Sequence, residues 1–434
     1  NYTYTLKSGV SAGSITSPDS FIYTITAQNG TQASATLNIQ PSAHALDAVD
    51  DVSSAMSLST TQVTTAGASL IGAATTLAKS TSHLETDTTF TVAAGTALKA
   101  VSISFSVASS VAISSLALEW VLYEDGVQVA TNSVAKGALT LFNNVNTLSL
   151  SGLELSAGHT YTLHLIADMG IPQLGAITIT PSFVGTSYDL DNFLITGSHN
   201  VTGNIYDGSD AAGAMDQLSG SHTTLTISGF NGSVATLTPL LNATTTNPLS
   251  SLTSATITGH YGTLTVNIDG SYSYTLNSNV HPSDIVNKEV FTYTLNDQNG
   301  HTDTATLTIN MNPLFTSTNQ SDVIIGSAYG DTLIYNLLNS TDAIGGNGVD
   351  HWSNFSLAQG DKIDIHSLLV GWDGQSSSLG NFLTVTDTGK GTVISIDRDG
   401  ASGTKYSSTD LLVLDDVHNI KLSDLVEQNH IVVG

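Results

Sequence analysis

The chain has no cysteine. That excludes disulfide staples, thiolate catalysis and cysteine metal sites, and leaves packing and hard cations as the available braces. It has one arginine, Arg398, and nine scattered lysines. A nucleic-acid or anionic-lipid surface needs clustered basic groups, so neither partner is expected. Glutamate is scarce, with six residues against thirty aspartates. Glutamate favours helices, whereas aspartate favours turns and aims a short carboxylate from a loop. No apolar run reaches the ~18 residues of a membrane-spanning helix. Catalytic signatures are missing too: there is no H-E-x-x-H helix, no G-x-S-x-G elbow and no P-loop. His159 and His164 lie five apart on an expected strand and face opposite sides, so they do not chelate one ion. Glu85, Glu119 and Glu154 form no recognisable catalytic carboxylate pair. The chain is expected not to be an enzyme. No secretory leader is visible and Asn1 begins inside a strand pattern, as expected of a fragment.

What is present is a globular composition. At roughly 150 residues per domain, 434 residues give about three domains. Forty per cent of the residues are apolar and 11% charged, which separates the chain from disordered polymers. The net charge is −26. Solubility alone would not favour aspartate five to one, but loop-borne ligands for a hard cation would. Calcium is the expected cofactor.

An internal repeat sets the architecture. Residues 1–40 align without a gap to 271–310, with 17 identities against roughly three expected by chance. In the second copy Leu264, Val266 and Ile268 alternate with polar residues, and so do Tyr272, Tyr274 and Leu276. Asp269-Gly270 between them predicts a hairpin with a type I′ turn, positive in φ at both central residues. Phe291/Tyr293/Leu295 and Ala305/Leu307/Ile309 predict two more strands, turned at residues 297–301. Short alternating strands at this spacing predict an antiparallel sandwich of immunoglobulin type over 187–313. The first copy, 1–44, reads as the C-terminal part of such a domain, with an exposed edge at Tyr2/Tyr4/Leu6.

Residues 45–186 predict a second, jelly-roll-like sandwich. Val101/Ile103/Phe105/Val107 alternate, as do Leu116/Leu118/Trp120/Leu122, with an Asp125-Gly126 turn and a strand at Tyr161/Leu163/Leu165. Trp120 shares a face with Leu118 and Leu122 and is expected in the core. The Ala-rich stretch 66–79 reads as a short helix. Residues 314–434 alternate Gly-rich turns with short apolar runs.

Gly345-Gly346-Asn347-Gly348-Val349-Asp350-His351-Trp352 fits the pattern G-G-x-G-x-D-x-U. It resembles the repeats-in-toxin nonapeptide of calcium-binding β-rolls, in which the Asp binds calcium between stacked turns. Gly326–Leu333 (GSAYGDTL) is a degraded copy, and Asp322 stands nine residues before Asp331. The resemblance implies calcium at Asp322, Asp331 and Asp350, in an array too short for a regular roll. Further on come GDKIDI at 360–365, then TVISIDRDG at 392–400, Leu411–Leu414 and Ile420-x-Leu422. Residues 316–434 thereby resemble the C-terminal target domain of type I secreted bacterial adhesins, which implies an export signal read by a transporter spanning both Gram-negative membranes. Asp397-x-Asp399-Gly400 also reads as the opening of a calcium loop.

The repeat domains resemble the immunoglobulin-like, cadherin-like and VCBS-type modules of large biofilm-associated adhesins. The residues that carry this are the acidic pair Asp50-Asp51, its echo Asp189/Asp191, the turn with Asp207 and Asp210, and the loop with Asp297, Asn299 and Asp303. The resemblance implies calcium at these groups, stiffening a rod. Ala27 and Ala33 replace Asp297 and Asp303 in the first copy, so that copy is expected to lack its loop ligands.

The expected fold is therefore all-β: tandem immunoglobulin-like and jelly-roll sandwiches, then a β-rich secretion-type domain with degenerate repeats-in-toxin turns. The expected function is a calcium-stabilised adhesin or biofilm-matrix segment on the surface of a Gram-negative bacterium, meeting host or abiotic surfaces or copies of itself. The alternative is a carbohydrate- or ligand-binding module in 45–186.

Overall fold

The computed structural model describes residues 2–5, 17–39, 46–71, 75–77, 82–109, 116–134, 144–149, 153–168, 176–218, 223–238, 253–297 and 300–433. The fold is all-β, and the single α-helix among the described residues is Leu422–Glu427. No helix among them is long and apolar enough to cross a membrane. They form two compact units: Asn1–Ser57 with Gly197–Val280 and Asn287–Asn312, and Leu58–Thr196 with His281–Val286 and Pro313–Gly434.

These units redraw the expected boundaries. Strand Ile177–Ile195 runs unbroken past residue 187 because it pairs along its length with Thr96–Ser109 and Met56–Ile71. Asp51 and Val52 pair in parallel with Leu307 and Thr308, so the Asp50-Asp51 pair joins the immunoglobulin-like unit. Asp189 and Asp191 stay in the other unit.

The immunoglobulin-like unit has a four-stranded sheet in the order Asn200–Asn204, Ser271–Leu276, Gly262–Asn267, Ser254–Thr258. Its five-stranded sheet runs Val234–Leu237, Thr224–Ser228, Glu289–Asn296, Thr302–Ile309, Asp51–Val52. The alternation read from the sequence supplies the core: Leu264, Val266, Tyr274, Phe291, Tyr293, Leu295 and Leu307 are buried. Each such side chain contributes about 1.5–3 kcal/mol of burial. The turn at Asp269-Gly270 differs from the expected type I′. Among non-glycine residues Asp269 does not have positive φ, while Gly270 does (84°) and its N–H bonds Asn267 O. That is a type I turn closed by a glycine in the left-handed region, which needs one positive φ instead of two. Asp125-Gly126 does take positive φ at both residues, 48° and 85°.

The first copy of the repeat folds as a hairpin, Asp19–Thr26 with Gln32–Ile39. Residues 2–5 are not in a strand, and Leu6 lies outside the described residues.

In the second unit, one sheet begins Asn144–Ser149, Thr96–Ser109, Ile177–Ile195, Met56–Ile71 and continues into Met311–Thr316, Thr332–Ile334, Lys362–Asp364 and Ile431–Val432. A four-stranded sheet of His83–Thr91, Thr160–Asp168, Ala117–Glu124 and Val127–Val134 encloses a core with Trp120, Phe105 and Phe183. Over its described residues, 66–71 and 75–77, the expected helix is instead strand: Met56–Ile71 and Thr75–Leu77 both pair with Ile177–Ile195. Sheet pairing overrides the helix propensity of the alanines. C-terminal to this, short parallel strands alternate between two sheets. Phe315 pairs with Leu333, eighteen residues or two nonapeptides on. The next coil is longer, with Leu333 opposite Ile363. The spacing between paired parallel strands is thus a multiple of nine for one step only.

Candidate cation-binding carboxylates

In the immunoglobulin-like unit, residues 212–217 lie against 47–52. Backbone bonds join Asp47 to Gln217 and Val52 to Ala212. This brings together Asp51, no part of which is exposed, and Asp216, 5% exposed. The Tyr293 hydroxyl sits between them, 2.7 Å from Val49 O and 3.1 Å from both Asp51 Oδ2 and Asp216 Oδ2. One proton faces oxygen acceptors on three residues. Asp216 Oδ1 accepts from Val49 N at 2.8 Å, but Asp51 Oδ1 is buried with no hydrogen-bond partner. That oxygen faces Gly213, where a Cβ would come within 2.3 Å of it. Burial raises the Asp51 carboxyl to about 7, with the charges of Asp216, Asp210 and Asp50 adding to it and the Tyr293 bond opposing. Burial likewise raises Asp216 to about 6. A buried carboxylate short of donors is an unfavourable anion unless a proton or a cation neutralises it.

The other sequence-predicted residues of this unit are separately engaged. Asp210 Oδ2 accepts from the Tyr272 hydroxyl, and burial raises its pKa. Asp50 accepts from the amide and hydroxyl of Thr306. Asp207 is exposed and held low by Ser209. Asp303 accepts from Ala48 N and Thr304 N, which lower its pKa. Asp297 accepts from the His301 amide and ring. Asn299 lies outside the described residues.

In the second unit Asp189 and Asp191 flank buried Leu190 at an irregularity of their strand. Burial, then a hydrogen bond with Asp191, raises Asp189. Asp397 and Asp399 are a similar pair: burial, then Asp399, raises Asp397, while the Lys405 and Tyr406 amides hold Asp399 low.

The roll carboxylates are braced by backbone. Asp322 accepts from the amide and hydroxyl of Thr318 and from Gln62. Asp331 accepts from the amide and hydroxyl of Ser327. Asp361 accepts from Ser356 N and, across the coils, from Asp331 N; Asp350 accepts from Asp322 N in the same way. Burial raises Asp322 and Asp361 to about 6 and Asp331 to about 7, and with the charge of Asp322 it pushes Asp350 well above the carboxylate range. Donors thus take up the oxygens of Asp322, Asp331 and Asp361, while Asp350 Oδ2 is buried with no hydrogen-bond partner.

Among the described residues no three Asp, Glu or His side chains gather to hold a metal. A cation at Asp51 and Asp216 would take its remaining ligands from carbonyls such as Val49 O and from water, which suits calcium's tolerance for mixed oxygen ligands. Asp216 and Asp361 were not among the residues expected from the sequence. Asp361 carries a signal, a serine five residues earlier that mirrors Ser327 before Asp331. Asp216 carries none, since only the pairing of 212–217 with 47–52 brings it in.

Residues 219–310 match the Bacterial Ig domain family. No curated protein matches the chain. Solved structures that resemble it weakly include the following two. Dimeric latent PorU from Porphyromonas gingivalis is 12% identical at a TM-score of 0.16, over 60% of this chain and 24% of that one. The M60 catalytic domain with CBM51-1 and CBM51-2 domains from Clostridium perfringens ZmpB is 12% identical at a TM-score of 0.14, over 79% and 30%. This chain therefore spans about a third or less of either structure. Part of this all-β chain, then, is similar to bacterial immunoglobulin-like domains.

Proposed function

We propose that this chain is a segment of a bacterial surface adhesin, stabilised by calcium at Asp51 and Asp216 and exported by a type I transporter that reads residues 314–434. The observation that carries the calcium reading is the buried, unpartnered Asp51 Oδ1 beside a tyrosine proton shared by acceptors on three residues. The immunoglobulin-like match supports the adhesin reading. A site with Kd ~10⁻⁴ M, ordinary for extracellular modules, adds about 1.4 kcal/mol in millimolar calcium. The role is mechanical: the cation neutralises carboxylates that burial disfavours and fixes the 47–52 segment to the sandwich. The ligand-binding alternative for 45–186 lacks an aromatic platform at Trp120, which is 1% exposed in the core.

Thermal melts of the full chain, followed by tyrosine circular dichroism in EDTA and in 5 mM (roughly fifty times that Kd) calcium chloride, test the reading. Calcium raises the wild-type midpoint and leaves Asp51→Asn unmoved. Equal midpoints for wild type in the two buffers would refute it.

A further inference from the structure

Register shifts line up across three neighbouring strands of the second unit. Ile177–Ile195 slips between Gly185 and Thr186 against Met56–Ile71, and between Val184 and Thr186 against Thr96–Ser109. Val184 pairs with Ser102 and Thr186 with Lys99, so Ala100 and Val101 together oppose Gly185. The bulge holds Ala100 in the left-handed region, at φ 53°, which is unfavourable for an alanine. Gly185 leaves room for it: a Cβ there would come within 2.8 Å of Lys99 O. Bulges re-aim side chains, and strain of this kind gathers where a side chain has a task.

The side chain aimed by this bulge is Lys99. Its ammonium donates to Asn319 Oδ1 at 3.1 Å and lies over the Tyr188 ring, 4.8 Å from the centroid. Asn319 Nδ2 donates to Glu154, so both ends of that amide are fixed. Asp322 is within electrostatic reach of Lys99, but Thr318 and Gln62 already hold its oxygens. Lys99 stands at a cleft of about 620 Å³, a size that suits a small molecule, whose walls include Ser317, Thr318, Asn319, Leu338 and Asn339. The far wall is preformed. Asp342 Oδ1 accepts from Ile344 N and Gly346 N, and the amides of Leu338 and Asn339 both donate to Gly345 O. Leu338, 51% exposed, offers an apolar surface there.

We propose that this cleft binds a sugar acid, with its carboxylate on Lys99 and its hydroxyls on the neighbouring amides and hydroxyls. An ammonium has three donors, and the bond to Asn319 uses one, so an anion can take the others. One cation in a chain of net charge −26 favours a single carboxylate over a phosphate dianion or a polyanion. The neutral polar walls match a ligand dense in hydroxyls, and Leu338 can pack against the C–H face of a sugar ring.

Saturation-transfer NMR on the full chain tests this with methyl β-glucuronide and methyl β-glucoside, which differ only in carrying a carboxylate or a hydroxymethyl group. EDTA in the buffer keeps the outcome independent of calcium at Asp51 and Asp216. The glucuronide binds about tenfold more tightly. Lys99→Met removes the ammonium and Asn319→Asp neutralises it; each abolishes the preference, whereas Lys390→Met keeps it. Asn319 is exposed, so its variant remains folded should Lys99→Met not. Equal affinities for the two glycosides, no transfer to the glucuronide, or a preference that survives in a folded variant overturn the proposal. So does acetate that displaces the glucuronide at equal concentration, which would make Lys99 an anion site without sugar recognition.

Discussion

Replacing Asp331 with Asn should stabilise the second unit at high pH and leave it unchanged at low pH. Asp331 is 1% exposed, and burial together with the charge of Asp361 holds its carboxyl at about 7. An unfolded aspartate titrates near 3.9. As pH rises from about 4 to about 7, the unfolded chain gives up this proton while the folded chain keeps it. The folded state then binds more protons, so stability falls across that window and is level above it. About three pH units at ~1.4 kcal/mol each set a ceiling of ~4 kcal/mol. An interior more polarisable than dry protein brings this to about 2 kcal/mol. Asparagine removes the charge and keeps the local bonding: its carbonyl accepts from Ser327 N, now 2.6 Å from Asp331 Oδ2, and its amide donates to the Ser327 hydroxyl. In EDTA at pH 8 the variant should melt ~5 °C higher for a unit of this size, and within ~1 °C of wild type at pH 4.5. Tryptophan fluorescence reports this cleanly, because Trp120, Trp352 and Trp372 all belong to the second unit. A variant no more stable at pH 8, or equally stabilised at both pH values, would refute the reasoning that burial penalises this carboxylate.

Tyr293→Phe removes the hydroxyl shared by Val49 O, Asp51 and Asp216 and should cost the immunoglobulin-like unit about 2 kcal/mol, read by urea titration of the tyrosine circular dichroism. Arg398, 1% exposed, donates from Nε to Leu368 O at 2.9 Å and from a terminal nitrogen to Asp342 O at 2.8 Å, with Tyr406 stacked on it. Arg398→Lys cannot reproduce that fork and should cost about 2–3 kcal/mol in urea titrations followed by tryptophan fluorescence. Gly348→Ala should lower the midpoint of the second unit by 5 °C or more in a thermal scan, since its Cβ would lie 2.0 Å from Gln320 O and the backbone there has no slack.

Strand positions and inward faces were legible in the sequence because side chains alternate across a sheet whatever the sheet packs against. The 270-residue offset likewise carried over to identical hairpin registers, and Trp120 is in the core where its Leu118/Leu122 face puts it. The apolar runs of 314–434 did become short strands, with Phe315 opposite Leu333 in a parallel pair. Three things depended on long-range pairing and had no local signal. The described residues 66–71 and 75–77 of the alanine-rich stretch became strand because Ile177–Ile195 offered them an edge. Asp51 went to the immunoglobulin-like unit and met Asp216, 165 positions away, because strand Asp51–Val52 found Leu307 and Thr308. The roll aspartates met backbone amides of the neighbouring coil, a choice made by stacking and not by the residues themselves. Local alternation determined which strand faces are apolar; the tertiary fold alone decided which buried carboxylates share a proton.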